Sequence, residues 1–80
     1  HLYIMVLLSK NYEIMKNTLK VERAKHNITQ QDLAEKIGVS RQTINSIETE
    51  RYVPSTVLAL KISYIFKTSV NEIFKLEKGD

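Results

Sequence analysis

The stretch QQDLAEKIGVSRQTINSIE, Gln30 to Glu48, decides the fold. It reads as two short amphipathic helices joined at one glycine. In the first, Leu33, Ala34 and Ile37 fall at i, i+1 and i+4 and make one apolar stripe. Thr29 precedes it as a natural N-cap, with Asp32 three residues on to support the first turn. Gly38 follows at the C′ position, where left-handed backbone favours glycine. Ser40 caps the next helix, whose apolar residues Ile44 and Ile47 lie three apart. That helix opens with Arg41-Gln42-Thr43 and holds no acid before Glu48. The positive end of a helix dipole prefers an acid there, so Arg41 needs a reason.

The reason lies in the outward face. On a wheel of about 100° per residue, Ile44 and Ile47 share one side. Gln42, Asn45, Ser46 and Thr49 cluster opposite, with Arg41 at the edge. An ordinary solvated face carries Glu and Lys at i, i+4 spacing. This one carries amides and hydroxyls that both donate and accept, plus one Arg. Those groups suit the edges of base pairs: Arg for guanine, Gln and Asn for adenine, Ser or Thr for either. Arg41, unfavourable by a few tenths of a kcal/mol in the free chain, becomes favourable in a groove lined by phosphates. Gln30 and Gln31, at the start of the preceding helix, offer amides and free backbone N–H groups to a phosphate. Gly38 permits a steep crossing through a short turn, and Ala34 permits close approach. Ala34, Gly38, Ile44 and Ile47 at this spacing make helix-turn-helix geometry. A plain αα-hairpin would explain the glycine but not the outward face.

Working outward, residues from Lys16 read as helical, with a first helix from about Thr18 to His26. Leu19, Val21 and Ala24 are its candidate core residues. Asn27-Ile28 breaks it. Thr49 to Pro54 is the next break, since Pro54 disfavours helix at Val53. Ser55 caps a fourth helix with too many apolar residues (Val57, Leu58, Leu60, Ile62, Tyr64, Ile65 and Phe66) for one stripe. It is expected at the centre of the core or packed on both sides. Ser69 to Glu72 reads as a capping box opening a fifth helix with Ile73 and Phe74, before a polar tail. Short connections between five short helices predict a compact all-α domain.

The chain has 80 residues, one domain at most. A domain this small buries only about 60% of its unfolded surface, so help from a partner or a dimer is expected. It has no cysteine, which excludes disulfides, thiol chemistry and a zinc finger and fits a reducing cytoplasm. Net charge is +3, which permits nucleic-acid binding without demanding it. The longest apolar run, Leu2 to Leu8, is far short of the roughly 20 residues of a membrane span. No catalytic triad, Gly-rich phosphate loop or metal cluster is legible, so an enzyme is not expected. Residues 1–14 differ in character from 15–80, and Met15 looks like an ordinary start. Two readings of 1–14 stay open: a leader from cloning or upstream translation, or a native β-rich arm carrying Tyr3, Ile4 and Val6.

The residues TQQDLAEKIGVSRQTINSIE, then RYVPS, LALKIS and SVNEIF, resemble the phage-repressor (Cro/C1, or XRE) family of helix-turn-helix regulators. The resemblance runs from about Leu19 to Phe74 and is closest to short stand-alone members. It implies a five-helix lambda-repressor-like domain, with a short β arm at the N- and C-termini as an option. It implies a cytoplasmic transcriptional regulator, a repressor or autoregulator that reads a palindromic operator in double-stranded DNA as a homodimer. Its matching positions give base contacts to Arg41, Gln42 and Ser46, with Asn45 beside them counted with the base contacts. They give phosphate contacts to Gln30, Thr43 and Arg51, and an internal ion pair to Arg23 and Glu48. Lys20 is added as a phosphate contact from its charge. Family members often carry Asn-Gly after the recognition helix; here Thr49-Glu50 stands there, so a different local turn is expected. No cofactor, metal or small-molecule substrate is implied.

The remaining candidates read blandly. His26 suits the negative end of the first helix, and with one other His in the chain it makes no metal site. Tyr52 is expected to pin the loop rather than stack on a base. Ile73 to Leu76 is the candidate dimer surface, with strand-like pairing to the N-terminal arm. The rival function is a protein-interaction module, such as an antitoxin or adaptor, that keeps the fold.

Overall fold

A computed structural model describes residues 13–78. In chain order the elements are β1 (Glu13–Asn17), α1 (Leu19–His26), α2 (Gln30–Ile37), α3 (Arg41–Glu48), α4 (Thr56–Phe66), α5 (Val70–Ile73) and β2 (Phe74–Lys78). Five helices enclose the core, and a two-stranded antiparallel sheet ties its ends together. The register pairs Met15 with Leu76 and Asn17 with Phe74. The domain is mostly helical, with the short terminal β element that the family resemblance allowed. Tyr3, Ile4 and Val6 lie outside the described residues.

The expected helical pattern from Lys16 is corrected here. Residues 15–17 are strand, and α1 starts only at Leu19. The boundary drawn between residues 14 and 15 falls inside β1. Phe74, expected in the fifth helix, begins β2 and is buried beside Ile73. Thr18 N donates to Ile73 O at 2.9 Å, extending the pairing to the first residue before α1. A two-stranded ribbon is marginal alone. Its anchorage to the core through Ile73 and Phe74 makes it stable, and it leaves those two residues unavailable as a dimer surface.

Leu19, Leu33, Ala34, Ile44, Ile62 and Ile73 are fully buried, so every helix supplies the core. Ala34 and Ile44 bring α2 and α3 together. Val21 and Ala24, expected in the core, are exposed. In α1 the inward positions are Leu19 and Glu22, three apart, and Val21 points away from them. Glu22 holds its carboxylate 3.2 Å from Lys25 Nζ. The fourth helix also differs from expectation. Ile62 and Phe66 face inward, whereas Val57, Leu60 and Tyr64 are 61%, 58% and 82% exposed. Among the described residues the other elements lie on one side of α4, and its second apolar stripe stays uncovered there.

The helix ends explain themselves locally. At α2, Thr29 Oγ1 accepts from Asp32 N, and Asp32 Oδ2 accepts from Thr29 N, each at 3.0 Å. These bonds hold the Asp32 carboxyl below its ordinary pKa. Ser55 caps α4 through Leu58 N at 3.2 Å. Ser69 breaks the pattern: its side chain caps nothing, and its carbonyl takes Glu72 N and Ile73 N instead. Among the described residues, four turns use left-handed backbone, at Asn27, Gly38, Glu50 and Lys67. At Gly38 (φ 77°) an added Cβ would meet nothing within 4 Å, so the conformation, not space, favours glycine.

Candidate nucleic-acid interface

The second helix of the pair, α3, is set by its first and last residues. Ser40 Oγ accepts from Thr43 N at 3.1 Å and lies 2.9 Å from Thr43 Oγ1, so Thr43's hydroxyl belongs to the cap. No acid occupies the first turn, and Arg41 stands there exposed. Ile44 and Ile47 are buried, and Gln42 and Asn45 are exposed, with Ser46 half-buried between them. The outward face thus has two flanks. Gln42 and Ser46 border a groove beside Tyr52, Val39 and Leu58. Arg41 borders an open depression with Arg23, Thr29, Gln30 and Gln31, at the N-terminus of α2. Asn45 lies on that second flank, in contact with Gln30. Tyr52, 44% exposed, contributes to the groove as well as to the loop.

Behind the α2 flank runs a chain of hydrogen bonds. Arg23 Nε and Nη2 donate to the two oxygens of Glu48 at 2.5 and 3.0 Å. Arg23 Nη1 donates to Ile28 O at 3.1 Å. The two side chains are 14% and 6% exposed, and the carboxylate raises the Arg23 pKa further. The pair clamps α1 to the end of α3. Gln30 Nε2 then donates to Glu48 Oε1 at 3.0 Å and to Asn45 Oδ1 at 3.2 Å. Both hydrogens of the Gln30 amide are therefore engaged inside the protein. The backbone N–H groups of Gln30 and Gln31 make no hydrogen bond among the described residues and stand open at the positive end of α2.

The loop after α3 keeps a left-handed turn without the usual glycine. Glu50 adopts φ 65°, which corrects the expectation of a different turn. Arg51 N and Tyr52 N both donate to Ser46 O, at 2.9 and 3.2 Å, and close the loop on α3. Glu50 pairs with Lys16 Nζ at 3.3 Å, so β1 reaches the carboxylate nearest this loop. Arg51 is exposed beside it. Lys20 stands exposed on the first turn of α1, with no hydrogen bond to α3 among the described residues.

Two supports escaped the sequence reading. Asn17 Nδ2 donates to Ile47 O at 2.8 Å, capping the C-terminal end of α3 from β1. Its Oδ1 accepts from Leu19 N at 3.1 Å, satisfying the first N–H of α1, while the Thr18 side chain makes no cap bond. An Asn two residues before a helix is the only local signal of this role. Lys16 is the other support; nothing local points to it. His26 places Nδ1 3.0 Å from Glu22 O, at the end of α1, and its ring meets Phe66 edge-on at 5.0 Å. No group of three His, Cys, Asp or Glu able to hold a metal occurs among the described residues. No helix there is long and apolar enough to cross a membrane.

The comparisons bear on this architecture. A helix-turn-helix family model matches residues 19–73. An uncharacterised HTH-type transcriptional regulator of Methanocaldococcus jannaschii is 56% identical over 66 residues, 82% of this chain and 100% of that protein. One from Bacillus subtilis, also uncharacterised, is 45% identical over 64 residues, 80% of this chain and 97% of that protein. A Bacteroides fragilis protein proposed to bind DNA has a similar crystal structure. Its TM-score is 0.70 at 26% identity, over 78% of this chain and 100% of that one.

Proposed function

Since the chain belongs to the Cro/C1-type (XRE) helix-turn-helix family, we propose that it regulates transcription by binding a palindromic operator as a dimer, as a repressor or autoregulator. The observation that carries this reading is the outward face of α3. It presents Gln42, Asn45 and Ser46 to solvent, with Arg41 at one end and Arg51 just beyond the other. In the bound state α3 enters the major groove. Arg41, Gln42, Asn45 and Ser46 face base edges, where amides and guanidinium groups discriminate donors from acceptors. The free N–H groups of Gln30 and Gln31 hold one phosphate. Arg51 neutralises another, and Thr43, whose hydroxyl completes the cap, approaches the backbone at the start of α3. Lys20 adds charge from α1. Arg23 and Glu48 set the angle at which α3 is presented.

One domain reads too few base pairs to find a site in a genome. Two copies read half-sites about one helical turn apart, roughly 34 Å. The exposed α4 stripe of Val57, Leu60 and Tyr64 is the surface we assign to the second copy. Leu60→Asp then leaves a folded monomer by sedimentation at micromolar concentration; an unchanged dimer, or a monomeric wild type, refutes the assignment. Such a regulator works in the cytoplasm, where its operator is.

The experiment is selection of DNA from a random pool at near-physiological salt. A palindromic consensus that Gln42→Ala degrades at one or two positions, by about 1–3 kcal/mol on the preferred site, supports the reading. No enrichment above non-specific binding refutes it and turns the search to protein partners.

A further inference from the structure

We infer that Gln30 is a positioning residue that turns Asn45 into a hydrogen-bond donor toward DNA, so that Asn45 selects guanine. The inference rests on the DNA-binding reading above and deepens it. It follows from which groups in the chain Arg23–Glu48–Gln30–Asn45 can donate and which can only accept.

A guanidinium only donates, and an ionised carboxylate only accepts. Arg23 therefore fixes Glu48 as the acceptor at the buried end. Glu48 Oε1 already takes Arg23 Nη2 and accepts again from Gln30 at 3.0 Å. Only the nitrogen of the Gln30 amide can face it. That nitrogen has one hydrogen left, and Asn45 is 3.2 Å away. The atom of Asn45 that meets it must accept, so it is Oδ1. Asn45 Nδ2 is then the atom left facing solvent on the outward side of α3, with no hydrogen-bond partner among the described residues. The Asn amide torsion is broad and roughly two-fold, so either atom can face outward; here an ion pair two links away selects one.

A bare asparagine reads adenine, using its oxygen for N6 and its nitrogen for N7. With Oδ1 turned back to Gln30, Asn45 offers two N–H groups. Guanine alone among the bases presents two adjacent acceptors, N7 and O6, in the major groove. The chain thus predisposes Asn45 to guanine. It also gives Gln30 a role distinct from a phosphate contact. Its side-chain donors face inward, and the backbone N–H groups beside it remain for the phosphate.

The test compares wild type, Asn45→Ala, Gln30→Met and Gln30→Glu on duplexes carrying each base at each half-site position. Melting curves on the same samples report folding. The expected result is one position per half-site where wild type prefers guanine by about tenfold or more. Asn45→Ala abolishes that preference. Gln30→Met, with no donor, reduces it to threefold or less at the same position and leaves the others intact. Gln30→Glu, an acceptor only, turns Asn45 over and moves the preference toward a base that donates, cytosine or adenine. Two results overturn the inference while leaving a sequence-specific regulator in place. One is a position lost in Asn45→Ala that prefers adenine. The other is a folded Gln30→Met that weakens all duplexes equally. No sequence preference in wild type would instead remove the DNA-binding reading, and this inference with it.

Discussion

Replacing Arg23 with Ala tests the clamp behind the interface. The Arg23 side chain makes three hydrogen bonds, two to Glu48 and one to the Ile28 carbonyl. Its removal leaves the Glu48 carboxylate, 6% exposed, with Gln30 as its only side-chain donor among the described residues. Breaking a buried pair by removing one partner costs about 3–5 kcal/mol. Gln30 still donates to one oxygen, and the wild-type pair is not fully dry, with the Arg23 side chain 14% exposed, so the expected cost falls at or just below the bottom of that range, about 2–3 kcal/mol. Against roughly 4–12 kcal/mol of total stability for a chain of 80 residues, that is a large fraction. At about 4–8 °C per kcal/mol the melting temperature falls by some 10–20 °C, read by circular dichroism at fixed protein concentration. A double-mutant cycle with Glu48→Ala isolates the pair. The double variant should be more stable than the two single losses predict, by at least about 1 kcal/mol. A single-variant drop under about 3 °C, or losses that simply add, refutes the clamp. Gln30 and Asn45 would then lose the anchor that fixes their orientation.

Other perturbations probe separate parts. Gly38→Ala meets no steric obstacle, so its cost is the left-handed conformation alone, about 1–2 kcal/mol and some 4–15 °C in melting temperature; a larger drop would mean the α2–α3 turn had moved. Glu50→Gly relieves about 1 kcal/mol of left-handed strain and gives up an exposed ion pair with Lys16 worth about 0–1 kcal/mol. Its melting temperature should match or exceed wild type, and a fall beyond 5 °C would show that Lys16 holds the loop. Asp32 has a depressed folded-state pKa, so its stabilising effect is complete above the ordinary carboxylate value of about 3.9 and is lost as pH falls through the lower folded value. Wild type should therefore melt above Asp32→Ala at pH 7 and converge with it in acid; a constant gap down to pH 2 would rule out the charged cap.

What could be read along the chain was what depends on neighbours within one turn. The box at Thr29 and Asp32, the Ser40 cap, the left-handed Gly38 and the paired isoleucines of α3 are local chemistry, and the structure forms each of them. They placed α2 and α3 and the outward face of α3. The capping box expected at Ser69 failed because α5 has one turn, and its backbone bonds suffice. The tertiary structure decided the rest, because those features join residues far apart. Asn17 supports Ile47 across 30 positions, and nothing in the sequence points to that bond; the Arg23–Glu48 pair, 25 positions apart, is expected through the family resemblance alone, not from local pattern. The ribbon of β1 and β2 needs both ends of the domain, and neither strand shows a strong pattern alone. The apolar residues of α4 all look alike in sequence; only packing separates Ile62 and Phe66 from Val57, Leu60 and Tyr64. Sequence determined that Gln30 and Asn45 carry amides suited to DNA. Tertiary structure decided which atoms those amides present, since an amide's direction is set by the donors and acceptors around it.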